Sequence, residues 1–330
     1  MIKIIIIFLL KLFFSKEIFS QDEQKKTEIN LKIEIAKLSQ EGQILLRNKK
    51  WTEVEKIAQA IIKKNPNSPE SFYLLGASLH GKGEYFKSIE ILQQAFSLQS
   101  NHDPTLFFLG LSYFKLGQWE KSLEYFKSAA EHGSFNPFYR YNLALVLFIL
   151  GDYEKSAEEA EKTLQLKENY FKAKVILAKA WYKIGKQEEA LQVVKEMYEK
   201  KQELEKIQSL YAELLVVKEK NYKKALQVLA RKPSLSIEER RIAGYSYMQL
   251  GDWEKAIAHY KNFVKFERDT EEDALNLIRC LIWSGRESEA EMYLSKLIKI
   301  NYEKRKYFSD IFQEIIEKRN LTKEIYSPIF

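Results

Sequence analysis

Apolar residues recur along most of the chain in pairs of stripes, each with the spacing of one face of an α-helix. One repeating frame describes them, and its evenly spaced copies start at Ile35, Pro69, Asp103, Pro137 and Phe171. Positions 4, 7, 8 and 11 of this frame are mostly apolar, which is the i, i+3, i+4, i+7 spacing of a helical face. A second stripe begins at position 20 and continues at positions 24 and 27. Each copy is therefore predicted to form two helices joined by a turn.

The glycines repeat with the same period. One series falls at position 15 and comprises Gly83, Gly117, Gly151 and Gly185, which are separated by one period each. A second series falls at position 8 and comprises Gly42, Gly76 and Gly110. Glycine tolerates the positive φ of a turn, which suits position 15. Its lack of a side chain lets two helices approach closely, which suits position 8.

Aromatic residues complete the pattern at position 17, with Trp51, Tyr85, Trp119, Tyr153 and Trp253. Together with stretches such as Leu75-Gly76 and Gly251-Asp252-Trp253-Glu254-Lys255-Ala256, they resemble the tetratricopeptide repeat family and its 34-residue period. The resemblance implies an all-α fold, a right-handed α-solenoid of about eight helix-turn-helix repeats with helical caps. It says little about the ligand.

The predicted repeats start at residues 35, 69, 103, 137, 171, 205, 237 and 271 and cover residues 35–304. Residues 21–34 extend the first helix, and residues 305–330 form a C-terminal capping helix and a tail that is loose from residue 320. The apolar stripe expected to cover the eighth repeat comprises Phe308, Ile311, Phe312, Ile315 and Ile316.

The sixth repeat departs from the frame, since it is shorter than the others and is irregular near residues 219–236. Its second helix is expected to end before Lys232. Ser236 and Glu239 then predict a capping box at the start of the seventh repeat. The irregularity is either a hinge or a tolerated local variation.

The first twenty residues have the pattern of a signal peptide. Lys3 precedes an uninterrupted apolar run of seven residues, and Ser20 is a small residue after which the chain at once becomes polar. A helix that crosses a bilayer needs about 20 apolar residues. We therefore predict that residues 1–20 are cleaved after Ser20 and that the mature chain is exported, to the periplasm or cell envelope if the cell is Gram-negative. The alternative is an N-terminal anchor that is retained.

The composition argues against disulfide bonds, metal binding and catalysis. The chain of 330 residues has one cysteine, Cys280, and four histidines, which excludes an intramolecular disulfide framework and leaves little material for a metal site. The sequence has no phosphate-binding loop, serine-nucleophile elbow or paired-histidine motif. We therefore expect no enzyme activity, no catalytic residue, no metal and no cofactor, and Cys280 is expected to serve packing. A net charge of +7, with cations and anions mixed, does not predict nucleic-acid binding.

One face of the first helices carries the functional signal, because it is apolar where a solvated surface should be polar. The predicted partner-binding groove comprises Tyr73, Leu74, Phe107, Phe108, Leu111, Phe114, Phe138, Tyr141, Asn142, Leu145, Phe148, Lys172, Lys179 and Lys183. It is expected to bind an extended or helical segment that carries large apolar side chains and acidic groups. Two alternatives stay open: curvature buries these side chains against one another, or the C-terminal tail fills the groove.

The favoured interpretation is a non-catalytic scaffold or adaptor that binds a protein or peptide segment in a concave groove, in the cell envelope. The alternative is a structural subunit that uses the groove as an obligate interface in a self-associating or membrane-associated complex. No transmembrane span is expected in the mature chain. Asn142 and Lys172 match two positions at which some family members bind a terminal carboxylate, but Phe107, Leu111 and Ile176 replace the others, so that mode is not expected.

Overall fold

Helices make up the regular structure of the described part of the chain. The computed structural model describes residues 2–202, 204–262, 264 and 271–326, and no strand occurs among them. Side chains are described within residues 25–322 of these ranges. The all-α prediction is confirmed. The chain divides into two compact bodies, Met1–Ile176 and Leu177–Phe330, which we call the N-terminal body and the C-terminal body.

The N-terminal body consists of consecutive helical hairpins. Its helices are α1 (Ile2–Arg47), α2 (Trp51–Lys64), α3 (Pro69–Gly81), α4 (Tyr85–Leu98), α5 (Asp103–Lys115), α6 (Trp119–His132), α7 (Pro137–Ile149) and α8 (Tyr153–Leu166), and α9 (Phe171–Lys183) includes the boundary. Each of α1 to α7 packs on the next helix along the chain, and the first helices of neighbouring hairpins also touch, α1 on α3 and α3 on α5. Such nearest-neighbour stacking is the packing of helical repeat proteins.

The C-terminal body has the same arrangement. Its helices are α10 (Gln187–Glu199), α11 (Leu204–Val217), α12 (Tyr222–Leu229), α13 (Ile237–Gln249), α14 (Trp253–Lys261), α15 (Glu271–Trp283), α16 (Glu287–Ile300) and α17 (Arg305–Tyr326), with a 3-10 turn at Tyr302–Lys304. The first helices α11, α13 and α15 touch in succession, and α17 packs on α15 and α16.

Gly83 shows why the turn within a repeat needs glycine. Its φ is 85°, in the left-handed region that a Cβ disfavours. The turn closes α3 through a hydrogen bond from the Gly83 amide to the His80 carbonyl, 3.0 Å, and one from the Glu84 amide to the Leu79 carbonyl, 2.9 Å. Glycines with positive φ end the first helix of five other hairpins: Gly117, Gly151, Gly185, Gly251 and Gly285.

Glycine at position 8 brings the two helices of a repeat together. A Cβ placed on Gly76 would lie 2.5 Å from Leu92 Cγ, so this leucine rests directly on the backbone of α3. Gly110 receives Phe126 in the same way, with 2.6 Å between such a Cβ and Phe126 Cδ1. The two helices of these repeats therefore pack closely against each other at position 8.

The sixth repeat is irregular, since α12 has only 8 residues. A capping box opens α13: the Glu239 amide donates to Ser236 Oγ at 3.3 Å, and the Ser236 amide donates to Glu239 Oε2 at 2.9 Å. This confirms the predicted capping box. The buried Glu239 carboxylate also accepts hydrogen bonds from Ser209 of α11 and from Lys232. It therefore joins α11, the loop after α12 and α13.

The C-terminal helix covers the last hairpin, as the apolar stripe predicts. Phe308, Phe312 and Ile315 are buried in the core of the C-terminal body, and Ile311 and Ile316 pack against it. The expectation of a loose tail from residue 320 is wrong for residues 320–326, because α17 continues to Tyr326. No glycine or proline interrupts the sequence there to end the helix. Residues 327–330 lie outside the described residues.

Residues 2–20 of the predicted signal peptide and the predicted extension, residues 21–34, belong to α1. The side chains of residues 1–24, including Ser20 at the expected cleavage site, lie outside the described ones. Among the described residues, no helix combines the length and apolar character needed to span a bilayer.

Candidate functional site

The second repeat contributes less to the predicted groove than its sequence suggests. Leu74 has an exposed fraction of 0% and Tyr73 of 7%. Leu74 packs on α1, because a Cβ on Gly42 would lie only 2.7 Å from Leu74 Cδ1. Leu74 therefore does not line a groove, which corrects that part of the prediction. Tyr73 instead supports its neighbour Phe108, with the two ring centroids 5.9 Å apart in a T-shaped arrangement.

Three of the predicted aromatic residues hold the hairpins together. Phe107 lies 4.7 Å from Tyr139 between ring centroids. Phe114 contacts the Trp119 ring at 5.0 Å, and Phe148 contacts the Tyr153 ring at 5.2 Å, in both cases across a turn between two helices. All three side chains are half-buried. Their main contacts are therefore structural, and only part of each ring faces solvent.

Phe138 is the most exposed aromatic residue of the predicted set. It is the second residue of α7, where the Asn136 side chain caps the helix by accepting a hydrogen bond from the Phe138 amide at 3.0 Å. Its exposed fraction is 49%. The ring is nevertheless held in place: Tyr170 meets it edge-on with 5.6 Å between centroids, and Lys167 Nζ lies 5.5 Å from its centroid. The structure thus presents an ordered aromatic ring with a cation beside it.

Tyr170 joins the site although the sequence pattern did not indicate it. It precedes α9 and contacts both Phe138 and Tyr141, with 5.1 Å between the centroids of the two tyrosine rings. Burial and the neighbouring Tyr141 raise the pKa of Tyr170 to about 12, so its hydroxyl stays protonated at neutral pH. The last position of a repeat, where Tyr170 falls, varies too much between repeats to be recognised from the period.

The remaining members of the set around α5 and α7 are half-buried: Phe108, Leu111, Tyr141, Asn142 and Leu145. Asn142 Nδ2 donates to the Phe138 carbonyl at 2.7 Å, within α7. We give the name Phe138 surface to the exposed Phe138 together with four half-buried residues, Phe108, Tyr141, Leu145 and Tyr170. It belongs wholly to the N-terminal body.

The predicted basic stretch does not fall in one body. Lys172 is exposed and belongs to the N-terminal body. Lys179, which is half-buried, and Lys183, which is exposed, belong to the C-terminal body. Lys167 is the cation that lies against the aromatic rings of the Phe138 surface, and the sequence pattern did not single it out.

The C-terminal body has a cavity that the sequence pattern did not predict. It has a volume of about 660 Å³ and lies on the first helices α11, α13 and α15. Arg241 of α13 and Asp273 of α15 are among the residues that line it.

Cys280 is fully buried in α15, and burial raises the pKa of its thiol to about 12. The thiol is therefore protonated and inaccessible at neutral pH, as a packing residue should be. Over the residues whose side chains are described, no group of three or more histidine, cysteine, aspartate and glutamate side chains is placed to hold a metal ion.

Stacked helical hairpins with glycine-centred turns define a helical repeat protein. Models of the tetratricopeptide repeat match residues 109–171 and 242–267. A model described as anaphase-promoting complex, cyclosome, subunit 3 matches residues 47–129. The chain is a tetratricopeptide-repeat protein.

Several solved structures are similar in fold. A crystal structure of MamA is 21% identical over 50% of this chain and 91% of that one, with a TM-score of 0.43. A tetratricopeptide repeat protein from Parabacteroides merdae is 16% identical over 74% of this chain and 97% of that one, with a TM-score of 0.49. Naa15/Naa10 bound to HypK-THB gives 17% identity over 75% of this chain and 39% of that one, with a TM-score of 0.43. A search of curated protein sequences gives no match.

Proposed function

We propose that this chain is a non-catalytic scaffold that binds a protein or peptide segment on the Phe138 surface. The observation that carries the proposal is the exposed ring of Phe138 on the first helix of a repeat, which contacts the Tyr170 ring and lies near the Lys167 ammonium group. Binding is favoured when a partner covers an aromatic ring that is exposed to water, because burial of apolar surface lowers the free energy. Aromatic side chains are also frequent among the residues that dominate binding energy. Tetratricopeptide repeats belong to the helical repeats that use an extended surface for binding.

The surface favours a partner with a large apolar side chain next to an acidic group. Phe108, Tyr141 and Leu145 are half-buried and add further apolar area on the first helices α5 and α7. Lys167 places an ammonium group at the edge of that area, 5.4 Å from the Tyr170 centroid. Because the rings already contact one another, ordering them on binding costs little conformational entropy.

We also propose that the scaffold acts outside the cytoplasm. The support is the sequence of residues 1–20, with Lys3, a short apolar run and Ser20 before a polar segment. N-terminal sequencing of the chain produced in its own cell, after fractionation of that cell, tests this proposal. A mature N-terminus at Gln21 in the exported fraction is expected, and an intact N-terminus in the cytoplasm contradicts it.

Binding can be tested with matched variants in a pull-down from envelope extracts. Phe138→Ser and Phe108→Ser should reduce capture of the partner that the wild-type chain retains. Phe86→Ser is the control, because Phe86 is 73% exposed but lies on the second helix α4. Circular dichroism must show all three variants folded. Equal capture by folded wild type and Phe138→Ser would remove the Phe138 surface from consideration.

The alternative, a structural subunit, predicts a different result when the purified mature chain is measured. If the surface is an obligate interface between copies, the mass of the purified mature chain in sedimentation rises with concentration. Phe138→Ser then abolishes that rise. A concentration-independent monomer that captures a partner supports the scaffold.

A further inference from the structure

The cavity of the C-terminal body, about 660 Å³ in volume, has a distinct chemistry from the Phe138 surface and shares no residue with it. Tyr222 and Tyr245 present aromatic rings to it, with 6.3 Å between centroids. Val216 and Ile242 add apolar wall. Pockets of several hundred Å³ lined by apolar and aromatic groups, with a few polar ones, are typical of binding sites. The charged groups decide what such a site can hold.

Arg241 is not available to an anion. Its Nε lies 2.9 Å from each oxygen of Asp273, and its Nη2 lies 2.8 Å from Asp273 Oδ2. Asp273 is itself buried, at 5% exposure. Such a forked, partly buried pair is strong, and separating it would leave a buried carboxylate without its partner. The guanidinium is therefore already neutralised inside the cavity.

Glu213 is another carboxylate in the cavity wall, and its hydrogen-bond partner differs from that of Asp273. It is half-buried on α11, and Tyr182 donates a hydrogen bond to its Oε1 at 2.7 Å. Burial first, and the hydrogen bond to Glu213 second, raise the pKa of Tyr182, so the hydroxyl remains a neutral donor. Over the described residues, Glu213 forms no ion pair within 4.0 Å. Its negative charge in the cavity wall is thus hydrogen-bonded but not neutralised.

The other charged lining residues do not neutralise the negative charge of Glu213. Glu272 adds a second carboxylate, which is exposed and pairs with Arg279 Nη1 at 2.8 Å. Lys220 is exposed and follows α11 in a turn with φ of 49°. A solvated ammonium on a flexible stem neutralises little, whereas a half-buried carboxylate is screened less. The inner wall of the cavity therefore favours a cation.

We propose that this cavity binds a lysine or arginine side chain of a partner polypeptide. The cation would lie against Glu213, where it gains a charge-assisted hydrogen bond. Its aliphatic stem would pack on Val216 and Ile242, and the faces of Tyr222 and Tyr245 would add cation–π attraction. The partner segment is thus basic at this site. The inference goes beyond the function proposed above, which concerns an apolar and acidic segment on a different body.

Two peptides of opposite charge test the proposal by isothermal titration calorimetry on the full chain. One is acetyl-Ala-Arg-Ala-Arg-Ala-Tyr-amide, and the other has glutamate in place of both arginines. The net charge of the chain, +7, favours the glutamate peptide at non-specific sites, so a preference for arginine has to come from a specific one. We expect the arginine peptide to bind more tightly. No measurable binding of the arginine peptide, or tighter binding of the glutamate peptide, overturns the proposal.

Glu213→Gln removes the charge and keeps an acceptor for Tyr182, so the fold should be preserved. We expect it to weaken the arginine peptide about tenfold, the effect of losing one charge-assisted hydrogen bond. Glu189→Gln is the control, because it makes the same change of charge at an exposed residue of α10 that does not line the cavity. An equal loss in both variants, or none in Glu213→Gln, overturns the proposal. Phe138→Ser should leave this affinity unchanged, which separates the result from the function proposed above.

Discussion

Ser88 Oγ donates a hydrogen bond to the carbonyl oxygen of Gly76 at 2.8 Å, from the second helix of a repeat to the first. The same bond recurs in the next repeat between Ser122 and Gly110, at 2.9 Å, and again between Ser156 and Ala144, at 2.8 Å. A buried hydroxyl needs a partner, and the close approach of the two backbones supplies one. The small residue at position 20 is thus explained by polar pairing as well as by size.

Ser88→Ala should lower the free energy of unfolding by about 1–3 kcal/mol, because Ser88 Oγ takes part in two hydrogen bonds, one to the Gly76 carbonyl and one with Ser112 Oγ at 3.1 Å. The loss should be at the low end, because alanine stands at position 20 in later repeats, as Ala190 and Ala256 show. Urea unfolding measures it. Ser97→Ala on the same helix is the control, since Ser97 is exposed, and it should change little. A larger loss in the control would contradict the role given to Ser88.

Gly110→Ala should destabilise the chain by about 1–3 kcal/mol, because the new methyl group overlaps the Phe126 ring. A smaller residue at position 126 should relieve the overlap. The combination Gly110→Ala with Phe126→Leu should therefore cost less than the sum of the two single changes. Urea unfolding of the four chains forms a double-mutant cycle, and strict additivity would contradict direct contact.

His80 should make the stability depend on pH. Burial first, and then Lys115, lower the pKa of His80 to about 4, while its Nδ1 lies 2.9 Å from Ser112 Oγ. In the unfolded chain the histidine has an ordinary pKa near 6.5. At a pH between about 4 and 6.5, His80 is therefore protonated in the unfolded chain and mostly neutral in the folded chain. The stabilisation is complete above pH of about 6.5 and is lost as the pH falls toward 4.

His80→Gln should flatten the pH dependence of the unfolding free energy between pH of about 6.5 and 5, by roughly 1–2 kcal/mol. His132→Asn is the control, because it removes an exposed histidine. Urea unfolding at several pH values measures both. A wild-type slope that His80→Gln leaves intact would show that other groups carry it.

Cys280 should resist thiol reagents until the C-terminal body unfolds. The side chain is fully buried, and burial raises its pKa to about 12, so little reactive thiolate exists at neutral pH. Labelling with a chromogenic disulfide should be slow in buffer and fast in denaturing urea. Rapid labelling of the native chain would contradict the packing of α15.

The helical hairpins can be predicted from the sequence because of the glycine at position 15 and the glycine or alanine at position 8. Gly83 is needed by a local backbone angle, and Gly76 by contact with a helix that follows directly in the chain. The capping box of Ser236 and Glu239 is local in the same way. The extra role of Glu239, which holds Ser209 and Lys232, is not local and could not be predicted.

Leu74 and Phe108 occupy the same position of successive repeats, yet α1 buries the first and the second stays half-exposed. The sequence by itself determined the all-α class, the period and the turns, because these depend on interactions between residues that are close in the chain. Only the tertiary structure decided that Phe138 is exposed beside Tyr170 and that Glu213 lines a cavity. The exposure of a residue depends on the size and charge of neighbouring side chains from several helices. A repeating sequence pattern does not determine which side chains these are.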